Sequence, residues 1–435
     1  MAALVWAPLW YGGNDRLAFG VDAIVFPALA AAHEILQVGH ERATPRAFQG
    51  VAIPAALFFA VVLWILFQMS HGAPAPFVNP IWGITEEALG RGIVGSISVD
   101  PELTARALVR LLTDASVFWL ALRLGRERSA ALVAGVAAIG CAYAAYGLVA
   151  AAFPEFPRLP HTAFDRGYVA STFVNRNDYA AYAGVGLIAM VALLSGHCRV
   201  HIAGVAPMRA RLGAAIEASV GRGAALVGGC WLMLAALLLT GSRGGIIASG
   251  AGLMVFALMR RRRSARSSLP WAIGLIVIAV AVWVFGGVVG GKLAEGGVSD
   301  ANRLAVYDLT LQSIRDRPLL GWGYGTFRDV FPMYRDRSIS VLGTWSEAHN
   351  TYLEVLQGLG LVFGPLLILC VALPAFRCVQ RARRRRDELA PAVAAGAAAL
   401  IGTHSMIDFS VQIPAVAITF MTLLGAGAAE WHDGE

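Results

Sequence analysis

Charge is what this sequence has least of. Asp, Glu, Lys and Arg make up 14% of its 435 residues, against roughly 25% in a soluble globular chain, which argues against a water-soluble domain. Cysteine is scarce as well. There are five, with no CxxC pair and no His/Cys cluster at metal-ligand spacing, so neither a disulfide framework nor a structural zinc is expected. No DxD triplet occurs, which leaves divalent-metal sugar-nucleotide chemistry without its usual carboxylate pair. The P-loop pattern GxxxxGKS/T is missing, against ATP hydrolysis, and so is GxSxG, against an α/β-hydrolase. The two halves show no repeat, and the polar residues gather at one face where a transporter would place them near the midplane.

What the chain does have is apolar length. Hydrophobic residues are 57% of the total and mean hydropathy is +0.63. Runs long enough to cross a bilayer, about 17–25 residues each, recur at 1–13, 17–38, 50–70, 103–123, 129–151, 178–196, 223–240, 245–259, 270–290, 352–376, 389–406 and 413–430. The pattern predicts an all-α, polytopic membrane helix bundle of about twelve helices, one membrane domain over 1–435. The first run is the shortest and lacks the basic flank of a signal peptide; a start codon placed too late would explain its length.

Alternate loops carry the arginines: Arg42 and Arg46; Arg123, Arg126 and Arg128; Arg199, Arg209, Arg211 and Arg222; Arg260 to Arg263 and Arg266; Arg377, Arg381 and Arg383 to Arg386. These hold twenty of the 35 Lys and Arg residues. The positive-inside rule makes them cytoplasmic, together with both termini. The net charge of +7 then reflects topology. The basic runs lack interleaved aromatics, so no nucleic-acid partner is expected. Cys141, Cys230 and Cys370 fall in spans, and Cys198 and Cys378 in cytoplasmic loops.

The outward segments are 71–102, 152–177, 241–244, 291–351 and 404–412. The longest, 291–351, exceeds a simple connector and has room for small helices packed over the membrane. It carries Lys292, Arg303, Arg315, Arg317, Arg328, Arg335 and Arg337. Long loops are exempt from the charge rule, which is one reading; a surface for an anionic group such as phosphate, matched bidentately by guanidinium, is the other. The turn TGSRGG, Thr240 to Gly245, joins two apolar helices almost without a loop and sets Arg243 at the interface. An arginine there either snorkels to headgroups or serves a ligand, and its glycines permit close backbone approach.

His349 stands at the mouth of an apolar helix, beside Asn350 and two residues after Glu347. A neutral imidazole can take a proton from a hydroxyl, and a carboxylate can orient it; a simple polar cap is the alternative. In HSMIDFSVQIPA, His404 and Asp408 share a face if the helix continues that far, as a second acid–base element or as a polar latch. In STFVNRNDYAAY, Asp178 reads as a helix cap, whereas Arg176 joins the outward arginines.

Four segments resemble the O-antigen ligase and polymerase superfamily of integral membrane glycosyltransferases. They are FVNRNDYAAY, TGSRGG, NRLAVYDLTLQSIRDRPLLGWGYGTF and AHNTYLEVLQGLGLVFG. HSMIDFSVQIPA resembles a C-terminal signature of its polysaccharide-biosynthesis members. Two departures stand out. Gly360 is followed by Phe363 and Gly364 where the family spaces its glycines GxxG, and Arg176 occupies the position between two asparagines where the family has proline.

The resemblance implies a bacterial inner-membrane enzyme with its site on the periplasmic face. Its donor would be an undecaprenyl-pyrophosphate-linked glycan, and its acceptor lipid A–core for a ligase or a lipid-linked repeat unit for a polymerase; the C-terminal signature favours polymerase. Arg243 and Arg303 would hold the pyrophosphate, and His349 would act as base. Arg176, Arg315, Arg317, Asn350, His404 and Asp408 complete the candidate substrate-binding set. Displacement by one base predicts inversion at the anomeric carbon, and arginines take the place of a metal, so no cofactor is expected. A transporter of an anionic solute would use the same arginines, and a non-catalytic assembly partner would need none.

Overall fold

The computed structural model describes residues 1–37, 44–153, 155–156, 167–202, 221–261, 297–339 and 344–429. Among them the regular structure is helical, without a strand. In chain order the α-helices are α1 (Ala2–Trp6), α2 (Arg16–Gln37), α3 (Thr44–Met69), α4 (Ile81–Leu89), α5 (Pro101–Arg123), α6 (Gly125–Ala152) and α7 (Arg176–Ile202). There follow α8 (Arg222–Leu239), α9 (Arg243–Arg260), α10 (Gly297–Asp316), α11 (Phe327–Val330), α12 (Thr351–Arg384), α13 (Ala390–His404) and α14 (Pro414–Ala428). Among the described residues six helices are long and apolar enough to cross a membrane, and α13 and α14 are shorter apolar helices. The chain is an all-α polytopic membrane protein.

The sequence pattern and the structure part company at the N-terminus. Residues 1–13 form a five-residue helix and a 3-10 turn, not a span. Pro8 lacks a backbone donor, and Gly12 and Gly13 turn the chain at φ 67° and 77°. Cys198 and Cys378 lie on helices α7 and α12, not in loops. The expected span 270–290 is outside the described residues, as are Arg42, Arg209, Arg211, Arg262, Arg263, Arg266 and Lys292.

The centre of the bundle is built on small residues. α13 runs APAVAAGAAALIGTH and is buried along most of its length, with α9, α14 and α7 packed against it. A Cβ on Gly252 of α9 would stand 2.7 Å from the Gly396 carbonyl, and one on Gly396 of α13 would stand 2.9 Å from the Gly252 carbonyl. Close backbone approach of this kind is how apolar helices associate where lipid offers no hydrophobic contrast. α2 and α3 are peripheral: Ile24, Ile35 and Leu36 of α2 and Ile53 and Phe59 of α3 are exposed on the outside, as lipid-facing side chains must be.

The two ends of the bundle differ in chemistry. At one end arginines cap helix C-termini. Arg199 donates to the carbonyls of Arg386 at 3.1 Å and Arg260 at 3.3 Å, Arg260 donates to the Glu388 carbonyl at 3.2 Å, and Arg381 pairs with Glu388 at 2.9 Å. Cations at helix C-termini complement both the macrodipole and the orphan carbonyls. The N-termini of α7, α9 and α12 and the C-terminus of α13 meet at the other end.

That second end is roofed by the segment after 296. α10, α11 and the turn Phe331–Met333 enclose an apolar core of Val306, Leu309, Phe327, Phe331, Ile339 and Ala348. The roof is stitched into a break in α12. Gly360 has φ 78° and ψ 176°, which interrupts the helix. The Gln357 and Gly358 carbonyls are taken up by the N–H groups of Trp322 and Gly323 at 3.0 and 3.1 Å, and Leu361 N–H donates to the Pro318 carbonyl at 2.7 Å. Gln68 of α3 donates to Gly358 as well, at 2.8 Å. A broken helix at this depth is tolerated because each freed group finds a protein partner. The displaced glycine spacing noted in the sequence is this break.

Gly396→Leu is expected to overpack the α9–α13 contact and to destabilise the protein by about 1–3 kcal/mol, read as a lower melting temperature in detergent. Gly250→Ala, at a site with no atom within 4 Å of an added Cβ, is expected to leave it unchanged.

Candidate active site

His349 is placed by an unusual backbone. It adopts φ 55°, a conformation few non-glycine residues take. The turn is held by Tyr307 on α10, whose hydroxyl donates to the His349 carbonyl at 2.9 Å. Asn350 then caps α12: its Oδ1 accepts from Leu353 N–H at 3.1 Å, and its Nδ2 donates to the Met406 carbonyl at 3.1 Å. The imidazole lies edge-on between Trp345 and Phe409, with centroids at 5.7 and 5.1 Å.

The carboxylate that orients His349 is Asp408. His349 Nδ1 stands 3.2 Å from Asp408 Oδ1. A carboxylate only accepts, so Nδ1 carries the hydrogen, and Nε2 is the ring nitrogen free to take a proton when the imidazole is neutral. Asp408 is itself fixed: Phe409 N–H donates to Oδ1 at 2.9 Å and Asn177 Nδ2 to Oδ2 at 2.8 Å. Burial would push the Asp408 carboxyl up, but the bond and charge of His349, the nearby His404 and the Phe409 N–H together hold it below its ordinary value.

Glu347, the sequence neighbour, makes no hydrogen bond to the imidazole among the described contacts. Its pKa is raised by burial and by the charge of Asp408, with a hydrogen bond to Glu354, Arg110 and His349 opposing. It is half-buried and lines a cavity of about 650 Å³ that also holds charged side chains, among them Asp22, Arg110, Asp114 and Glu354, and apolar ones such as Leu367, Val371 and Met421.

Three arginines reach the neighbours of this pair. α13 ends at His404, and the Asp408 N–H still bonds the His404 carbonyl at 2.9 Å. His404 is buried, and its Nε2 would lie 3.7 Å from a Cβ on Gly244, so it packs on the TGSRGG turn. There Gly241 has φ 62°, Ser242 caps α9 by accepting from Gly245 N–H at 3.1 Å, and Arg243 is the exposed first helical residue. A guanidinium at the positive end of a helix makes a local excess of positive charge that suits an anion. Arg176 lies 3.9 Å over the Tyr168 ring, beside Gly241. Arg303 is one helical turn before Tyr307 on α10, close enough for its charge to act on Tyr307 and His404. Burial raises the Tyr307 hydroxyl pKa against that charge, which keeps it a donor.

His349, Arg243, Arg303, Arg176, Asn350, His404 and Asp408 thus gather at one end of the bundle. Arg315 and Arg317 do not join them. They lie at and just beyond the far end of α10 from Arg303, roughly 18–21 Å along at about 1.5 Å per residue. Arg315 is exposed; Arg317 donates to the Phe77 carbonyl at 2.9 Å and stacks on Trp322. Asp178 is not a helix cap either. Asn175 takes that part, accepting from Asn177 N–H at 2.8 Å, while Asp178 is buried and accepts from Ser410 at 2.8 Å.

Sequence reasoning passed over Asn177 and Tyr307. Tyr307 follows Arg303 by four residues on one helix face, a usable signal; Asn177 offered none beyond its motif.

The fold and site define a polytopic membrane protein with a His–Asp pair at the end of the bundle that also carries Arg176, Arg243 and Arg303. Residues 228–369, about a third of the chain, match a family model described as O-antigen ligase. The match supports the O-antigen ligase and polymerase superfamily, and ligase- or polymerase-type function in general, for this chain. Arg243, Arg303 and His349 fall inside the matched stretch; Asp408 and Asn177 fall outside it. The comparison with curated proteins gave no match.

The two acidic groups respond to pH with opposite sign. Glu347, raised on folding, favours the folded state below its unfolded value near 4.3 and loses that contribution as pH rises through its folded value. Glu347→Gln is therefore expected to gain on wild type as pH rises from about 4, seen in paired melting temperatures. A pH-independent offset contradicts this. Asp408, depressed on folding, contributes above its unfolded value near 3.9 and loses this only as pH falls through its folded value. Asp408→Asn is accordingly expected to melt lower at neutral pH.

Proposed function

We propose that the protein transfers glycan from an undecaprenyl-pyrophosphate donor to a hydroxyl acceptor at the periplasmic face of the bacterial inner membrane, in O-antigen or exopolysaccharide biosynthesis. The observation that carries this reading is the approach of the Arg243 turn and Arg303 to the His349–Asp408 pair.

The chemistry follows from that arrangement. His349 Nε2 takes the proton of the acceptor hydroxyl as its oxygen attacks the anomeric carbon, and general-base help of this kind contributes about 10²–10⁴-fold. The bond from that carbon to the pyrophosphate oxygen breaks, and its electron pair leaves with the phosphate. Arg243 and Arg303 neutralise the growing charge, which preorganised donors can stabilise by several kcal/mol. They supply the positive charge that a divalent cation provides elsewhere. Asp408 stabilises the imidazolium. A single displacement inverts the anomeric centre. The apolar side chains of the cavity that Glu347 lines suit a prenyl or acyl chain, which favours lipid-linked substrates. Arg176, His404 and Asn350 line or brace the anion side. The lean towards polymerase rests on the HSMIDFSVQIPA resemblance.

Cells lacking the gene, complemented with His349→Ala, Arg243→Ala or Arg303→Ala, test this. The expected outcome is inserted protein with surface glycan reduced at least about 100-fold. Single repeat units left on lipid carrier or core mark a polymerase, and full-length glycan stranded on its carrier marks a ligase. Wild-type glycan from all three variants contradicts the reading and favours a transporter of an anionic solute or a scaffold.

A further inference from the structure

We propose that Glu354 is a positioning residue for His349, tying the turn that carries the imidazole to the segment that carries Asp408. The inference rests on the reading of His349 as the base. Glu354 lies on the first turn of α12 and is buried to 9% exposure. Ala348 N–H, in the residue immediately before His349, donates to Glu354 Oε1 at 2.6 Å. Gln412, four residues after Asp408, donates through Nε2 to Glu354 Oε2 at 2.7 Å. One carboxylate therefore bonds both strands of chain that form the His–Asp pair, from the side opposite the pair itself.

Two further features make the tie necessary. The His349 backbone sits in the left-handed region, so something outside the residue must hold it there. The Asp408–His349 bond joins stretches 59 residues apart and is only as well defined as the spacing between them. Glu347 adds a third contact, a hydrogen bond to Glu354. Two carboxyl groups can bond each other only when one carries a proton. The remaining titratable or charged groups around the imidazole are Asp408, Glu347, His404, Tyr307 and Arg303. Asn350 and Thr351 also join the two segments, through Asn350 Nδ2 to the Met406 carbonyl at 3.1 Å and Thr351 Oγ1 to the Asp408 carbonyl at 3.2 Å; Glu354 differs in taking the Ala348 N–H directly before His349 with one oxygen and Gln412 with the other.

The test follows His349 directly. In the full chain in detergent, carbethoxylation of His349 by diethyl pyrocarbonate is read by peptide mass spectrometry from pH 5 to 9, giving the pH of half-maximal labelling. Its side chain is 23% exposed, so the reagent can reach it. Asp408→Asn sets the scale by lowering that midpoint, since the imidazolium loses its counter-charge. Glu354→Ala is expected to lower it in the same direction and to raise the labelling rate. The exchanged pair Glu354→Gln with Gln412→Glu keeps an amide facing a carboxylate and is expected to restore the wild-type midpoint. In cells, surface glycan is expected to fall about 10- to 100-fold in Glu354→Ala, the scale of a small misplacement of a catalytic group, and to recover in the exchanged pair.

A wild-type midpoint in Glu354→Ala, with Asp408→Asn shifted, overturns the proposal. An unshifted midpoint in both removes the His349–Asp408 pair, and the proposal with it. If Glu354→Ala does not insert, Gln412→Ala cuts the same tie and is judged by the same midpoint. A shifted midpoint in a protein whose His349→Ala variant still makes glycan upholds the tie and defeats the transferase reading instead.

Discussion

The hydrogen bond from His349 to Asp408 is the interaction on which the candidate site depends. It joins the roof over the bundle to the short connection between the two most deeply buried helices, α13 and α14. The partners of each residue extend that join outward. Tyr307 brings in α10 and with it Arg303; Asn177 brings in α7 and with it Arg176; His404 brings in the turn that carries Arg243. A change in the pair would therefore be felt by every cation around it. Partly desolvated electrostatics of this kind are strong when satisfied and costly when broken.

The apolar bundle imposes the second constraint. Lipid offers no hydrogen bonds, so backbone irregularities that face it must be satisfied by protein. The interruption at Gly360 meets that demand with the extended loop 318–323 and with Gln68, and this docks the roof at a fixed height over the bundle. The same logic explains the opposite end, where arginines satisfy helix carbonyls. Among the described residues the two ends differ: one carries arginines that cap helix carbonyls, the other the His349–Asp408 pair with Arg176, Arg243 and Arg303.

Much of this was legible in the sequence. Apolar runs gave the helices, and the arginine alternation separated the two ends. His349, Arg243 and Arg303 stood out because polar residues at the mouths of apolar helices need a reason to be there. What the sequence obscured was pairing. Glu347 is two residues from His349 and was one carboxylate that could orient it, yet the hydrogen bond to the imidazole is made by another. Asp408, 59 positions away, takes that place because α13 stops at His404 and the chain curls back. The N-terminal run had the composition of a span, but Pro8 and the paired glycines turn it. Arg315 and Arg317 matched the pattern of outward arginines, and only helix length shows that they lie a helix away from the site.

The central claim is that this cluster breaks a sugar–phosphate bond with the help of His349. Its most direct test is stoichiometric. Purified protein in vesicles, supplied with lipid-linked glycan extracted from cells lacking the gene, is followed for free polyprenyl pyrophosphate and for elongated or ligated glycan in the same samples. The account predicts one polyprenyl pyrophosphate released for each glycan transferred, with both products lost together in His349→Ala. Glycan crossing the vesicle membrane with no pyrophosphate lipid released, or product formation unchanged in His349→Ala, would contradict it.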